Sequence, residues 1–185
     1  NRENYETALR QFELNLQDEK LSKKERLGLQ LGLGSSAYKL GDYERASKAF
    51  GNALIGSGKN IKEQAHYNLG NTLYRQGEAI LKPGADNPET PGEMAVTPDK
   101  IAATLRQWLA ALEHYQAALK LNKNNADAKH NIEVIQKKIE QIEEEQQQQP
   151  EEQPQEQQPQ EQEQQEEQQQ QQENDQQEGE NQEQN

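Results

Sequence analysis

Apolar and polar residues recur at helical rather than strand spacing through roughly the first 140 residues. Near the start, Tyr5, Ala8, Phe12 and Leu16 return at three- and four-residue steps, which predicts a helix over 3–17. The run from Leu33 through Gly34, Ala37, Tyr38, Leu40 and Tyr43 continues into Ala46, Phe50, Ala53 and Leu54. That pattern predicts helices over 23–40 and 42–56, with Gly56, Gly58 and Asn60 ending the hairpin. A fourth helix is expected from near Ile61. Thr97-Pro98-Asp99 reads as a helix start, with Thr97 as N-cap and Pro98 in the first turn. Ile101, Leu105, Trp108, Leu112, Tyr115 and Leu119 then follow at helical spacing. A last helix over 126–145 carries Ile132, Ile135, Ile139 and Ile142 on one face. That face reads as a cap over the preceding helices, or as a coiled-coil or partner-binding seam.

The spacing also repeats between segments. Tyr67-Asn68-Leu69-Gly70-Asn71-Thr72-Leu73-Tyr74-Arg75-Gln76-Gly77 matches the run that begins at Leu33. Its second half is displaced to Trp108, Ala111, Tyr115, Ala118 and Leu119, because the Ala expected at position 82 stands at 111, which implies 29 inserted residues. Small residues (Gly34, Ala46, Ala53) let antiparallel helices approach, and large ones (Leu33, Tyr43, Phe50) fill the gaps between them. Each such pair leaves an apolar face that a neighbour must cover. The pattern resembles the tetratricopeptide repeat, a helix-turn-helix unit of about 34 residues.

That resemblance implies an all-α solenoid of antiparallel helix pairs, a right-handed superhelix closed by a capping helix. The helical domain is expected over 1–142, continuing through the capping helix at 126–145. It would contain a partial repeat at 1–17, a full repeat at 27–60, and an interrupted repeat at 63–125 with an insertion at about 82–110. Ala79, Ile80 and Leu81 can prolong the fourth helix past Gly77. Pro83, Gly84, Pro88, Pro91 and Gly92 make the middle of the insertion a loop. Both helices of the interrupted repeat are therefore expected to be lengthened, so that their hairpin projects with a loop near 83–97 at its tip.

Charge divides the 185 residues in two. The stretch through Glu140 holds all 20 basic residues and 18 of the 33 acidic ones, a net +2. The remaining 45 residues hold the other 15 acidic groups, no base and 22 Gln. The segment 146–185 is expected to be disordered, since it cannot bury enough apolar surface to offset the entropy of ordering. It reads as a solvating tether or as an acidic tail for a basic partner. A near-neutral body has no basic field for a nucleic-acid backbone. There is no cysteine, and no apolar run reaches the roughly 18 residues of a membrane span.

Candidate chemistry is sparse. Ala53 to Asn60 approaches a phosphate-binding loop, but Asn60 stands where Ser or Thr would hold Mg²⁺ and no strand precedes it. His66, His114 and His130 show no metal-ligand spacing. His66 falls at a packing position and His114 at a helix surface or edge. Trp108 takes the register of Tyr5 and Tyr43, a packing position. No catalytic residue, metal or cofactor is expected.

In tetratricopeptide proteins the first helix of each unit faces a concave groove. Carried over, the resemblance assigns to that groove Tyr38 and Lys39 in the first full unit. It adds Tyr67, Asn68, Asn71, Tyr74 and Arg75 in the second, and His130, Asn131 and Lys138 in the last helix. Asn can bond a peptide backbone as donor and acceptor, and Arg or Lys can pair a carboxylate. Leu31 and Ser35 stand where a carboxylate clamp would have Lys and Asn. Tyr67-Asn68-Leu69-Gly70-Asn71, the run Asn124 to Asn131 and the Gln/Glu tail further resemble the repeat proteins of the Bat aerotolerance group. That similarity implies a bacterial envelope scaffold, periplasmic, with a von Willebrand factor A-type protein partner. A cytoplasmic location is the alternative. Self-assembly through the first helix and, more remotely, a hydrolase are the alternative functions.

Overall fold

A computed structural model describes residues 2–56, 58–82 and 96–148. Among them are six α-helices: α1 Arg2–Asn15, α2 Lys23–Leu40, α3 Tyr43–Leu54, α4 Lys59–Leu81, α5 Pro98–Leu121 and α6 Ala126–Gln148. Each packs on the next, and α2 also meets α4. The expected tip loop lies outside the described residues except for Val96 and Thr97, and so does the expected disordered tail from 149 onward.

Local chemistry sets the helix ends. Ser22 and Glu25 form a capping box at the start of α2: the Ser22 hydroxyl accepts from the Glu25 amide at 3.3 Å, and the Glu25 carboxylate accepts from the Ser22 amide at 2.8 Å. Gly41 ends α2 in the left-handed region at φ 83, where a Cβ would be strained. Asp42 then caps α3 through the Arg45 amide. Thr97 caps α5 through the Lys100 amide, with Pro98 in the first turn. The Arg26 guanidinium donates to the carbonyls of Leu16 and Asp18, in the turn that follows α1.

Two boundaries differ from the sequence expectation. Asn60 lies inside α4, which begins at Lys59, so the turn after α3 is shorter than Gly56 to Asn60. The last helix continues to Gln148 rather than 145, because Glu and Gln are good helix formers and the first proline of the tail comes only at Pro150.

The core forms two clusters. One joins Leu9, Leu33, Ala37, Ala46, Ala49, Phe50 and Leu69 across α1–α4. The other joins Trp108, Ala111, Tyr115, Ala128 and Ile135 across α5 and α6, with Ile132, Ile139 and Ile142 packed against it. Leu73 on α4 packs against both. The helices are held close by glycines facing aromatic rings. A Cβ on Gly34 would lie 2.6 Å from the Phe50 ring, and one on Gly70 would lie 2.8 Å from the Tyr115 ring. Gly77 faces the Trp108 indole in the same way.

Gly28 is the contrasting case, an exposed helical glycine with nothing within 4 Å of its would-be Cβ. Gly28→Ala should raise stability by about 0.5–1 kcal/mol through helix propensity alone. A chemical-denaturation midpoint that falls rather than rises would contradict this.

Candidate functional site

The polar residues assigned to the groove lie on α2, α4 and α6, and the structure brings most of them together in three arrangements. The first is a hydrogen-bonded knot. The Asn71 side-chain oxygen on α4 accepts from the Tyr115 hydroxyl of α5 at 2.6 Å and from the Asn131 amide of α6 at 3.0 Å. Asn131 also reaches the Tyr115 oxygen at 3.2 Å. Tyr115 is 0% exposed, and burial pushes its pKa up. Tyr67 lies beside it, with ring centroids 5.9 Å apart.

The second centres on Glu78, which sequence reasoning missed. Its carboxylate accepts from Tyr74 at 2.7 Å and from Arg75 at 2.6 Å, and Lys138 stands 3.5 Å away. Burial pushes the Glu78 pKa up, but these hydrogen bonds and the charges of Arg75 and Lys138 outweigh burial and hold it below the usual value. Tyr38 and then Glu78 hold Arg75 protonated. Burial, followed by Glu78, raises the Tyr74 pKa. Lys138 also lies 5.8 Å from the Tyr74 ring centre and 5.6 Å from that of Trp108. The Trp108 indole donates to the Tyr74 carbonyl at 3.2 Å. A signal for this hub was present: Glu78 follows Tyr74 by four residues and Arg75 by three, so all three share one helix face.

The third is open. A cavity of about 170 Å³ is lined by Ser35, Tyr38, Lys39, Phe50, Asn68 and Asn71, between α2 and α4. Ser35 turns its hydroxyl back to the Leu31 carbonyl. Lys39 is exposed and Asn68 half-buried, and neither side chain makes a hydrogen bond or ion pair among the described residues. His130 is exposed on α6 and joins none of the three arrangements.

A larger hollow of about 520 Å³ lies elsewhere, between Glu13 of α1, Gln30 and Leu33 of α2, and Arg45, Lys48 and Asn52 on one face of α3. Arg45 closes part of it, bonding Glu13 at 3.2 Å and Asp42 at 3.1 Å. Between α4 and α5, His66 and His114 meet through their Nδ1 atoms at 2.9 Å. No spacing in the sequence links these two histidines.

Among the described residues, no group of three or more His, Asp or Glu side chains could hold a metal ion. No described helix is long and apolar enough to cross a membrane. No family model, curated protein or solved structure matches the chain. Among the described residues the protein is all-α, six packed helices each in contact with its neighbour in sequence.

Proposed function

We propose that this protein is a non-catalytic scaffold of the tetratricopeptide type that holds an extended partner segment between α2 and α4. The observation that carries the reading is the cavity of about 170 Å³ with Lys39 and Asn68 uncommitted in its wall. Lys39 offers charge for a carboxylate, and Asn68 offers a donor and an acceptor for a peptide unit.

Register supports the repeat reading. Gly34 meets Phe50 in the pair α2–α3, and Gly70 meets Tyr115 in the pair α4–α5. Gly70 to Tyr115 closes 115 − 70 = 45 residues of chain, against 50 − 34 = 16 for Gly34 to Phe50. The difference equals the 29 residues assigned to the insertion. Successive helix pairs built this way stack as a right-handed superhelix, with α6 as the cap. The short motifs further favour a periplasmic scaffold beside a von Willebrand factor A-type protein, with the cytoplasm as the alternative.

Asn71, Asn131, Arg75 and Lys138 already serve one another or Glu78. They frame the groove, and ligand contact falls to Lys39 and Asn68, with Tyr38 beside them. Self-assembly through α1 gains less support. Tyr5 lies on the same stripe as Leu9 and Phe12, whereas exposed Leu14 stands about half a turn round from it, so the two do not form one apolar face. No observation favours a hydrolase.

The test is selection of peptides from a display library on the full chain, followed by affinity measurement. Lys39→Ala and Asn68→Ala should each weaken the selected peptides about tenfold. Melting should stay within about 0.5 kcal/mol of wild type, since neither side chain supports the fold. Unchanged affinity in both variants would remove the groove from this site.

A further inference from the structure

His66 on α4 and His114 on α5 bring their Nδ1 atoms to 2.9 Å, while the ring centroids are 5.2 Å apart and the rings tilt by 35°. The nitrogens are far closer than the ring centres, so the two imidazoles face each other head-on. At that distance one nitrogen must donate a proton and the other must offer a lone pair. Two neutral rings satisfy this with one N–H···N bond. One added proton also satisfies it, as an imidazolium donating to a neutral ring. A second added proton turns both nitrogens into donors and sets two like charges against each other. We propose that the His66–His114 pair is an acid-sensitive latch across the α4–α5 seam, closed with no added proton or one and opened by the second.

The surroundings sharpen the response. Burial lowers the pKa of both rings; Lys62, one turn before His66, lowers that ring further, and His66 in turn lowers His114. Glu113, beside His114, opposes this. From α2, α3 and α6, which pack on α4 or α5, no charged side chain shifts either ring among the described residues. Two imidazoles without a third ligand fall short of a structural metal centre.

The latch also sits next to the polar knot. Tyr67 follows His66, Tyr115 follows His114, and these two tyrosine rings touch. Tyr115 holds Asn71 and, through it, Asn131. Opening the latch therefore loosens the residues that frame the cavity between α2 and α4. The latch itself does not depend on what that cavity binds.

The sign follows from proton linkage. The folded state keeps these rings neutral to a lower pH than the unfolded chain, whose imidazoles take up protons from about pH 6.5 downward. Stability is complete above that value and falls as acid is added. Working above pH 5 keeps most carboxylate titration out of the window.

Imidazole nitrogen resonances of the full chain should be followed from pH 8 to pH 5, together with thermal melts of wild type and of His66→Gln/His114→Gln. The pair should titrate in two coupled steps, the second well below the ordinary imidazole range. The Tyr115 and Asn131 amide signals should move with it. Between pH 7.5 and pH 5.2, wild type should lose about 3 °C more in melting temperature than the double variant. Two independent titrations in the ordinary range would overturn the latch, as would equal losses of melting temperature. The titration of wild type decides alone if the double variant does not fold.

Discussion

Replacing Trp108 with Ala should cost about 3–5 kcal/mol of folding stability, the range for deleting a fully buried large aromatic. Trp108 is 2% exposed and belongs to the cluster that joins α5 to α6. Three separate contacts end with it. The indole donates to the Tyr74 carbonyl of α4, its ring faces Lys138 of α6, and its edge fills the space that Gly77 leaves open. Ala leaves a cavity that the neighbours cannot easily close, since Gly77 has no side chain to swing in. Trp108→Phe separates the effects. It keeps most of the ring volume and loses the hydrogen bond, so its cost should be nearer 1–2 kcal/mol. Urea unfolding followed by circular dichroism measures both. A cost below about 1.5 kcal/mol for the Ala variant would mean that this junction does not hold the fold.

Gly70→Ala should destabilise by about 1–2 kcal/mol, although the same change at Gly28 should stabilise. Both sites are helical, so both gain the propensity of Ala, about 1 kcal/mol. They differ in what the new methyl group meets. At Gly70 it would stand 2.8 Å from the Tyr115 ring, which is fully buried and tied to Asn71 by a 2.6 Å hydrogen bond. The ring cannot retreat without breaking that bond, and forcing apart a packed seam costs about 1–3 kcal/mol or more. Comparing the two variants by denaturant midpoint isolates the seam from helix propensity. A stabilised Gly70→Ala would show that Tyr115 yields freely, and the close approach of α4 and α5 would then have no energetic meaning.

Much of the helical layout was legible because its signals are local. Thr97 before Pro98 announces the start of α5, and Gly41 before Asp42 announces the turn between α2 and α3. The isoleucines of α6 recur on the face that packs against α5. The displaced second half at Trp108, Ala111 and Tyr115 could be read from spacing, and Gly70 meets Tyr115 at the register where Gly34 meets Phe50. What stayed hidden depends on neighbours far along the chain. His66 and His114 lie on different helices, 48 residues apart, and no periodicity links them. Asn71 and Arg75 read as surface groups available to a ligand, but Tyr115, Asn131 and Glu78 had already engaged them. A single sequence shows which side chains can bond. It does not show which have found a partner inside the fold, and here that distinction moves the open part of the site to Lys39 and Asn68.

The burial of Trp108 has an optical consequence. It is the one tryptophan in the chain. Its indole sits at the meeting of α4, α5 and α6, beside the Tyr74 ring with centroids 6.0 Å apart and near the Lys138 ammonium. Tryptophan emission, excited selectively beyond the tyrosine absorption band, therefore reports on that junction alone. A red shift marks water reaching the indole, and a change in intensity without a shift marks a rearrangement of Tyr74 or Lys138 while the core stays dry.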